Sequence, residues 1–287
     1  MSKFLIIAAT LALASPAYAG KPIDERRPLD ADGRVAVNNL AGEIKVSTWD
    51  RNEVAITGTL GDDVEVLEIR GDARSLQVHV RYPRDTRGGV EETLLQLQVP
   101  KRAALDLEAV SADVLIDGAG GSLSAASVSG DIRATVESSE IKLNTVSGDI
   151  QLNAAGGRAE LQSVSGDIVA RGLGEAVKAE TVSGDVELDG GPFKSLAAES
   201  VSGDLRLLGV RLASGGELRA ETLSGEIAVR LGQAPDALVR LKTFSGTLRS
   251  DFGADSANRR KLETTLGSGK GRIELNSFSG DVYLGRQ

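Results

Sequence analysis

Ser127-Val128-Ser129-Gly130-Asp131-Ile132 is a hexapeptide that returns along the chain. It recurs at 145–150, 163–168, 181–186 and 200–205, and in altered form at 222–227, 243–248 and 277–282. A degraded copy stands at 109–114, where Ala112 replaces the glycine. The segment Leu40-Ala41-Gly42-Glu43-Ile44 is an isolated cousin. Counted at the valine position, from Val110 to Phe278, the steps are 18 four times, then 19, 22, 21 and 34. A fixed step of this length marks one stacked unit rather than a series of independent domains.

Around each hexapeptide the hydrophobic period is two. Ile141, Leu143 and Thr145 alternate with Lys142 and Asn144, which argues strand. The parity then shifts, and the alternation predicts that Val146, Gly148, Ile150, Leu152 and Ala154 share the inner face. Ser147, Asp149, Gln151 and Asn153 would face out. A parity shift at the same phase of every repeat predicts a corner or bulge there. Ala154-Ala155-Gly156-Gly157 and Gly172-Leu173-Gly174 predict the opposite turn.

Eighteen residues cannot bury a core alone, but they can form one coil of a parallel stack about 4.8 Å thick. The expectation is therefore all-β: a single-stranded parallel β-solenoid of about nine coils, on the order of 45 Å long. An antiparallel meander would not need the same turn residue at the same phase. Residues 106–287 would carry the coils, with an insertion at 251–271. Residues 20–105, with candidate strands at 35–37, 44–48, 54–57, 67–69, 76–80 and 94–99, would form an irregular β-rich cap. Stacked strands leave open edges, so the ends need caps or partners, and a solenoid end is a candidate for self-association. Phe244, Phe252, Phe278 and Tyr283 gather toward the second end.

Stacking turns each repeated position into a column. Ser127, Thr145, Ser163, Thr181 and Ser200 would face inward at the corner and hydrogen-bond the hydroxyl one coil away. Gly130, Gly148, Gly166, Gly184 and Gly203 would mark tight backbone approach or positive φ. Asp131, Asp149, Asp167, Asp185 and Asp204 would face outward, in a column that Thr247 interrupts and Asp281 resumes. Carboxylates about 5 Å apart repel by roughly 1 kcal/mol per solvated pair, so something must offset them. Backbone N–H groups of an Asx-turn are one answer. A divalent cation such as Ca²⁺ held between coils is the other.

The composition restricts the function classes. Net charge is −8, with 33 Lys+Arg and 41 Asp+Glu, which disfavours nucleic acid and anionic membrane surfaces as partners. There is no Cys and one His, so disulfides and cysteine chemistry are absent. Lys3, the apolar run Phe4 to Ala14, Pro16 and Ala17-Tyr18-Ala19 read as a cleavable signal peptide over residues 1–19, cut after Ala19. No Cys follows that site to carry a lipid anchor, and no later segment is long and apolar enough for a transmembrane span. The expected location is periplasmic or extracellular.

Catalysis has little support. A row of hydroxyls with no matching base is not a nucleophile array. A β-helical glycosidase or lyase would need a non-periodic carboxylate cluster, for example beside His79 or Trp49. Gly267-Ser268-Gly269-Lys270-Gly271, preceded by Arg259, Arg260 and Lys261, departs from the phosphate-loop frame because Gly follows Lys270, and reads as a turn. No catalytic residue and no cofactor is expected.

The repeated [ST]-V-S-G-D-[IV], the opening Leu40-Ala-Gly-Glu-Ile-Lys-Val-Ser-Thr-Trp49 and Val99-Pro100 together resemble the bacterial DUF4097 β-strand-repeat family, over essentially all of residues 30–287. The resemblance implies an exported, adhesin-like β-solenoid and supplies no catalytic residue. The expected function is a non-catalytic envelope-associated scaffold or adhesin-like interaction protein, with an envelope protein or polysaccharide as partner. The alternative is a polysaccharide- or divalent-cation-binding module that uses the outward Ser and Asp columns.

Overall fold

The computed structural model describes residues 20–83, 90–252 and 260–287. Residues 1–19, expected to be a signal peptide, and Arg259 of the insertion, lie outside them. The described chain is all-β, with no helix among those residues, and none therefore long and apolar enough to cross a membrane.

The repeats stack in parallel and in register. Leu123–Ser127, Glu140–Thr145 and Arg158–Gln162 are successive first strands, and Ile141 pairs with Leu123 on one side and Ala159 on the other. The ladder continues from Ala159 to Val177, Leu196 and Leu218. A second ladder runs from Ile132 through Ile150, Ile168, Val186 and Leu205 to Ile227. Inward side chains of both ladders, such as Leu143 and Ile150, merge into one buried core. Small and branched residues suit so thin a space, and burying each Leu, Ile or Val contributes about 1.5–3 kcal/mol. Phe193 heads the largest fully buried side chains.

The turn at 154–157 forms as expected. Gly156 and Gly157 have φ of 104° and 88°, a region open to glycine and costly for other residues. Residues 172–174 differ: they run inside the strand Ile168–Thr181, where the pairing with its neighbour shifts register.

At both ends chain order and spatial order part company. Arg34–Trp49 pairs with Ala104–Asp117 on one edge, and with Ser75–Arg81 and then Thr93–Pro100 on the other. The earliest long strand thus lies between segments that follow it. Its Asn39-Leu40-Ala41-Gly42-Glu43-Ile44 sits level with 109–114, which makes the isolated cousin a true rung. At the far end Gly271–Ser279 inserts between Leu212–Ser224 and Ala237–Ser245. Val282–Arg286 likewise inserts between Ile227–Leu231 and Leu248–Ser250. The 34-residue step therefore corrects the expected order: the copy at 243–248 is the last rung, and 277–282 lies inside it.

Antiparallel strands close the stack. Lys261–Leu266, from the insertion, covers Ala237–Ser245. Val66–Gly71 covers Ser75–Arg81, Glu53–Leu60 covers Thr93–Pro100, and Lys21–Pro28 lies outermost on Glu53–Leu60. That last strand is charged, ends in proline and buries only Ile23, as an edge strand can. Of the aromatics that gather toward the second end, Phe252 packs against the core, whereas Phe244 and Phe278 point to solvent.

Candidate interaction surface along the repeated corner

The corner between the two ladders carries every repeated position. The chain arrives on an inward Ser or Thr, turns two consecutive residues outward, and returns inward at glycine. Ser127, Thr145, Ser163, Thr181 and Ser200 are all buried. Their hydroxyls do not bond one another, which corrects the expected hydroxyl ladder. Each serves backbone instead. Gly130 N–H donates to Ser127 Oγ at 2.9 Å, and the Gly148 and Gly166 N–H groups donate to Thr145 and Ser163 at 3.0 and 2.9 Å. The hydroxyl proton goes to the rung before: Ser127 donates to Ala112 O at 3.2 Å and Thr181 to Gly166 O at 3.3 Å. One side chain thereby satisfies a tight turn and ties it to its neighbour.

The glycine column exists because backbone meets backbone. A Cβ on Gly148, Gly166, Gly184 or Gly203 would stand 1.9–2.1 Å from the carbonyl oxygen of the glycine one rung below, and on Gly130 it would stand 2.0 Å from Ala112 O. Close approach, rather than positive φ, is what these five positions require.

The acid column is bound along most of its length. Asp149 N–H donates to Asp131 Oδ1 at 3.0 Å, Asp167 N–H to Asp149 at 2.9 Å, Asp185 N–H to Asp167 at 2.8 Å and Asp204 N–H to Asp185 at 2.9 Å. From Asp113 to Asp204 each carboxylate accepts the N–H of the next acid, not one in its own turn, so the Asx-turn expectation is corrected to a bond between rungs. The spatial order also removes the interruption. Asp204 receives Glu226 N–H, and Asp281 receives Thr247 N–H at 2.8 Å. Thr247 stands on the last rung, where no further N–H awaits an acceptor. Oδ2 of Asp131 pairs with Arg133, and Arg206 bridges Asp185 and Asp204. Among the described residues no three His, Asp or Glu side chains converge as metal ligands do.

The valine column reverses its expected side. Val110, Val128, Val146, Val164, Val182 and Val201 are 42–44% exposed, and Leu223, Phe278 and Phe244 continue the line at 53–60%. The turn places two residues outward in succession, valine then serine, so the simple parity shift fails by one position. Phe278 and Phe244 lie on adjacent rungs and stack at 4.8 Å, 9° apart in plane. The result is an apolar ridge along the stack.

Beside the ridge runs a shallow groove, walled on its far side by the residue preceding each Ser or Thr. Glu180, Glu199, Glu221 and Asn276 line one stretch of about 560 Å³ together with Val201, Leu223 and Phe278. Asn144 and Gln162 wall the adjoining stretch, and Glu108 and Ala126 the next. Desolvation pushes the carboxyl of Glu221 up, but the Arg219 and Asn276 hydrogen bonds leave it net below its ordinary value. The Glu180 carboxyl is lowered chiefly by its hydrogen bond from Lys178.

The non-repeating candidates are occupied by ordinary contacts. His79 opens on a groove with Glu68, Asp106 and Glu108. Those carboxylates are engaged: Glu68 with Arg70 and Arg81, Asp106 with Arg34, and Glu108 with the Asn38 amide. Trp49 donates Nε1–H to Glu53 O at 2.8 Å, and Arg51 covers its ring at 4.9 Å, which removes a bare platform for a sugar. The 267–271 run is a turn clamped by Asp236, which accepts the Ser268 N–H at 2.6 Å and its hydroxyl at 2.9 and 3.0 Å.

The family model for Toastrack DUF4097 matches residues 28–284, and the chain belongs to that family. No curated protein matches the sequence. Among solved structures, similarity extends to a candidate cell-adhesion protein from Clostridium sporogenes (10% identity, TM-score 0.27, 93% of this chain and 100% of the other). A candidate adhesin from Bacteroides fragilis aligns at 13% identity and TM-score 0.40, over 93% and 97% of the two chains. A candidate lipid-binding protein from Parabacteroides distasonis aligns at 14% and 0.49, over 92% and 97%. Similarity at these levels identifies no ligand.

Proposed function

From its membership of the Toastrack DUF4097 family, we propose that the chain is an exported, non-catalytic interaction protein. It is a β-solenoid that acts as an envelope-associated scaffold or adhesin-like rod. The observation that carries this reading is the corner itself. Its outward serine column repeats on every rung from 109–114 onward and its acid column on all but the last, so the surface offers many equivalent weak contacts instead of one reactive centre. Stacking uses the repeated polar groups structurally: the buried hydroxyls and one oxygen of each Asp hold backbone N–H groups. The acids beside His79 are tied to Arg and Asn partners, which supports the non-enzymatic reading. Export rests on the 1–19 segment and its Ala17-Tyr18-Ala19 site.

Two measurements test the proposal. Expressed with its full leader, the protein should be recovered from the periplasm or cell surface with Gly20 at its N-terminus. The purified mature chain should then co-sediment with isolated cell envelopes in a saturable manner at physiological salt. A cytoplasmic protein that keeps Met1, or one that stays wholly in the supernatant, would count against it. Retention by purified polysaccharide alone would select the sugar as the partner.

A further inference from the structure

We infer that the end of the stack formed by 237–250 and 260–286 docks on a bilayer surface that carries anionic lipid. The net charge of −8 argues against such a surface only if the charge is spread evenly, and it is not. Residues 227–287 hold ten Lys and Arg against six Asp and Glu, a local +4, which leaves −12 on residues 1–226.

The change of sign falls on one column. Rung by rung, the groove wall runs from Glu180 through Glu199 and Glu221 to Asn276 and Lys242, and then to Lys261 on the covering strand. Lys242 and Lys261 are direct cross-strand partners, a position in which like charges repel. Lys261 turns to Glu263 at 3.0 Å, while Lys242 has no ion pair among the described residues. Arg260 adds a third cation, its guanidinium 5.9 Å from the centre of the Phe244 ring. On the other flank of the same rung Thr247 stands where every rung below carries an acid.

The ridge changes at the same place. Valine gives way to Leu223, Phe278 and Phe244, the three most exposed large apolar side chains among the described residues, at 55%, 53% and 60%. None of the three adds to the core. Protruding apolar side chains flanked by cations fit a bilayer interface, where rings enter the headgroup boundary and ammonium and guanidinium groups meet phosphate. An acidic polymer in water satisfies the cations but offers no apolar layer to the side chains beside them. Glu221, with Glu199 and Glu180 beyond it, is repelled by the same surface. Contact therefore stops at Leu223, and the acidic middle of the stack stays free for the partner of the proposed function. The inference deepens the envelope-associated reading by naming lipid as one contact. Pure vesicles test it separately, since envelopes that bind through protein or sugar would still retain a chain that vesicles do not.

The mature chain should float with phosphatidylcholine vesicles that contain about a third phosphatidylglycerol at about 0.1 M salt, and should bind them at least about tenfold more weakly at about 1 M. Lys242→Gln with Lys261→Gln should weaken binding about 25-fold, at about fivefold per cation. Phe244→Ser with Phe278→Ser should weaken it by about tenfold or more. All four side chains are exposed, so both variants should melt within a few degrees of the parent. Val146→Ser with Val164→Ser, on the same ridge but away from the cations, should bind as the parent does. The inference is overturned if the parent does not float with the anionic vesicles, if it floats equally with phosphatidylcholine alone, or if the Val146 and Val164 changes cost as much as the phenylalanine changes. Parent-like binding by the double glutamine variant would also overturn it. Retention on dextran sulfate that survives the phenylalanine changes, with no flotation, would assign this end to an acidic polymer and overturn it as well.

Discussion

The middle of the stack and its two ends solve different problems with the same strands. Between residues 123 and 210 each rung follows the one before it in sequence, and like residue lies over like residue. At the ends a later segment is slotted behind an earlier one: 271–286 inside 237–250, and 34–49 between 75–100 and 104–117. Repetition makes a stack that could continue indefinitely, and nothing in the repeat says where to stop. Slotting a strand inward lets the terminal rung be followed by an antiparallel strand, Lys261–Leu266 at one end and Val66–Gly71 at the other, so the parallel edge is covered.

The sharpest contrast comes from deletion. Removing 146–163 joins Thr145 to Val164 and takes out one whole rung with phase intact. Such a chain should fold and melt within a few degrees of the parent, as stacked repeats do when one is lost. Removing 271–287 takes away the neighbour that holds 237–250 to 217–231 on both ladders. Circular dichroism and limited proteolysis should show that end unfolded from about residue 232. If the truncated chain melts like the parent, the last rung can slide down and the slotted order is not required.

Within the stack, close approach should matter most. Gly166→Ala drives a Cβ to 1.9 Å from Gly148 O, where only backbone movement across two rungs could relieve it. A loss of about 3 kcal/mol or more in denaturant unfolding is expected. Gly120, near the first end, leaves 3.1 Å to Lys101 O, so Gly120→Ala should cost below about 1 kcal/mol. Similar costs at the two positions would remove the backbone-approach explanation of the column.

Next come the hydroxyl and the carboxylate of one corner. Ser163→Ala leaves the buried Gly166 N–H without its acceptor, a cost of about 1–3 kcal/mol. Asp167→Ala removes the acceptor of Asp185 N–H, but water reaches this outer position, and about 0.5–1 kcal/mol is expected. An aspartate change as costly as the serine change would mean that the acid column, not the buried hydroxyls, ties the rungs together.

The same contrast governs what the sequence could disclose. The step of 18 and the period of two gave parallel stacking, because both are local consequences of strand geometry. The valine side was misread because hydrophobicity argues for burial, while burial is not required of every apolar residue. Two successive outward residues, Val128 and Ser129, look like one parity shift on paper. The end order was hidden because a 34-residue step says that something intervenes, not where it goes. Its traces were present: Thr247 breaking the acids, and two phenylalanines at ridge positions that turn out to be neighbours. The strand Lys21–Pro28 was missed because an edge strand with one buried side chain has almost no hydrophobic signal.

The smallest expected effect lies in the turn that returns the chain to its slot. Asp236 holds the 267–270 turn, and the Ser268 hydroxyl foremost, with the N–H groups of Ser268, Lys270 and Gly269, keeps its carboxyl below the ordinary value. A carboxylate whose folded pKa is depressed favours the folded state above its unfolded pKa of about 3.9, and loses that contribution as pH falls through the folded value. Asp236→Asn should therefore melt slightly below the parent at pH 7, and the gap should narrow under about pH 4. The middle of the stack offers the control, since a change at Ser163 removes no titrating group and its cost should persist at both pH values. A gap for Asp236→Asn that stays constant between pH 7 and pH 3 would mean that the turn is held by shape, with no contribution from the charge.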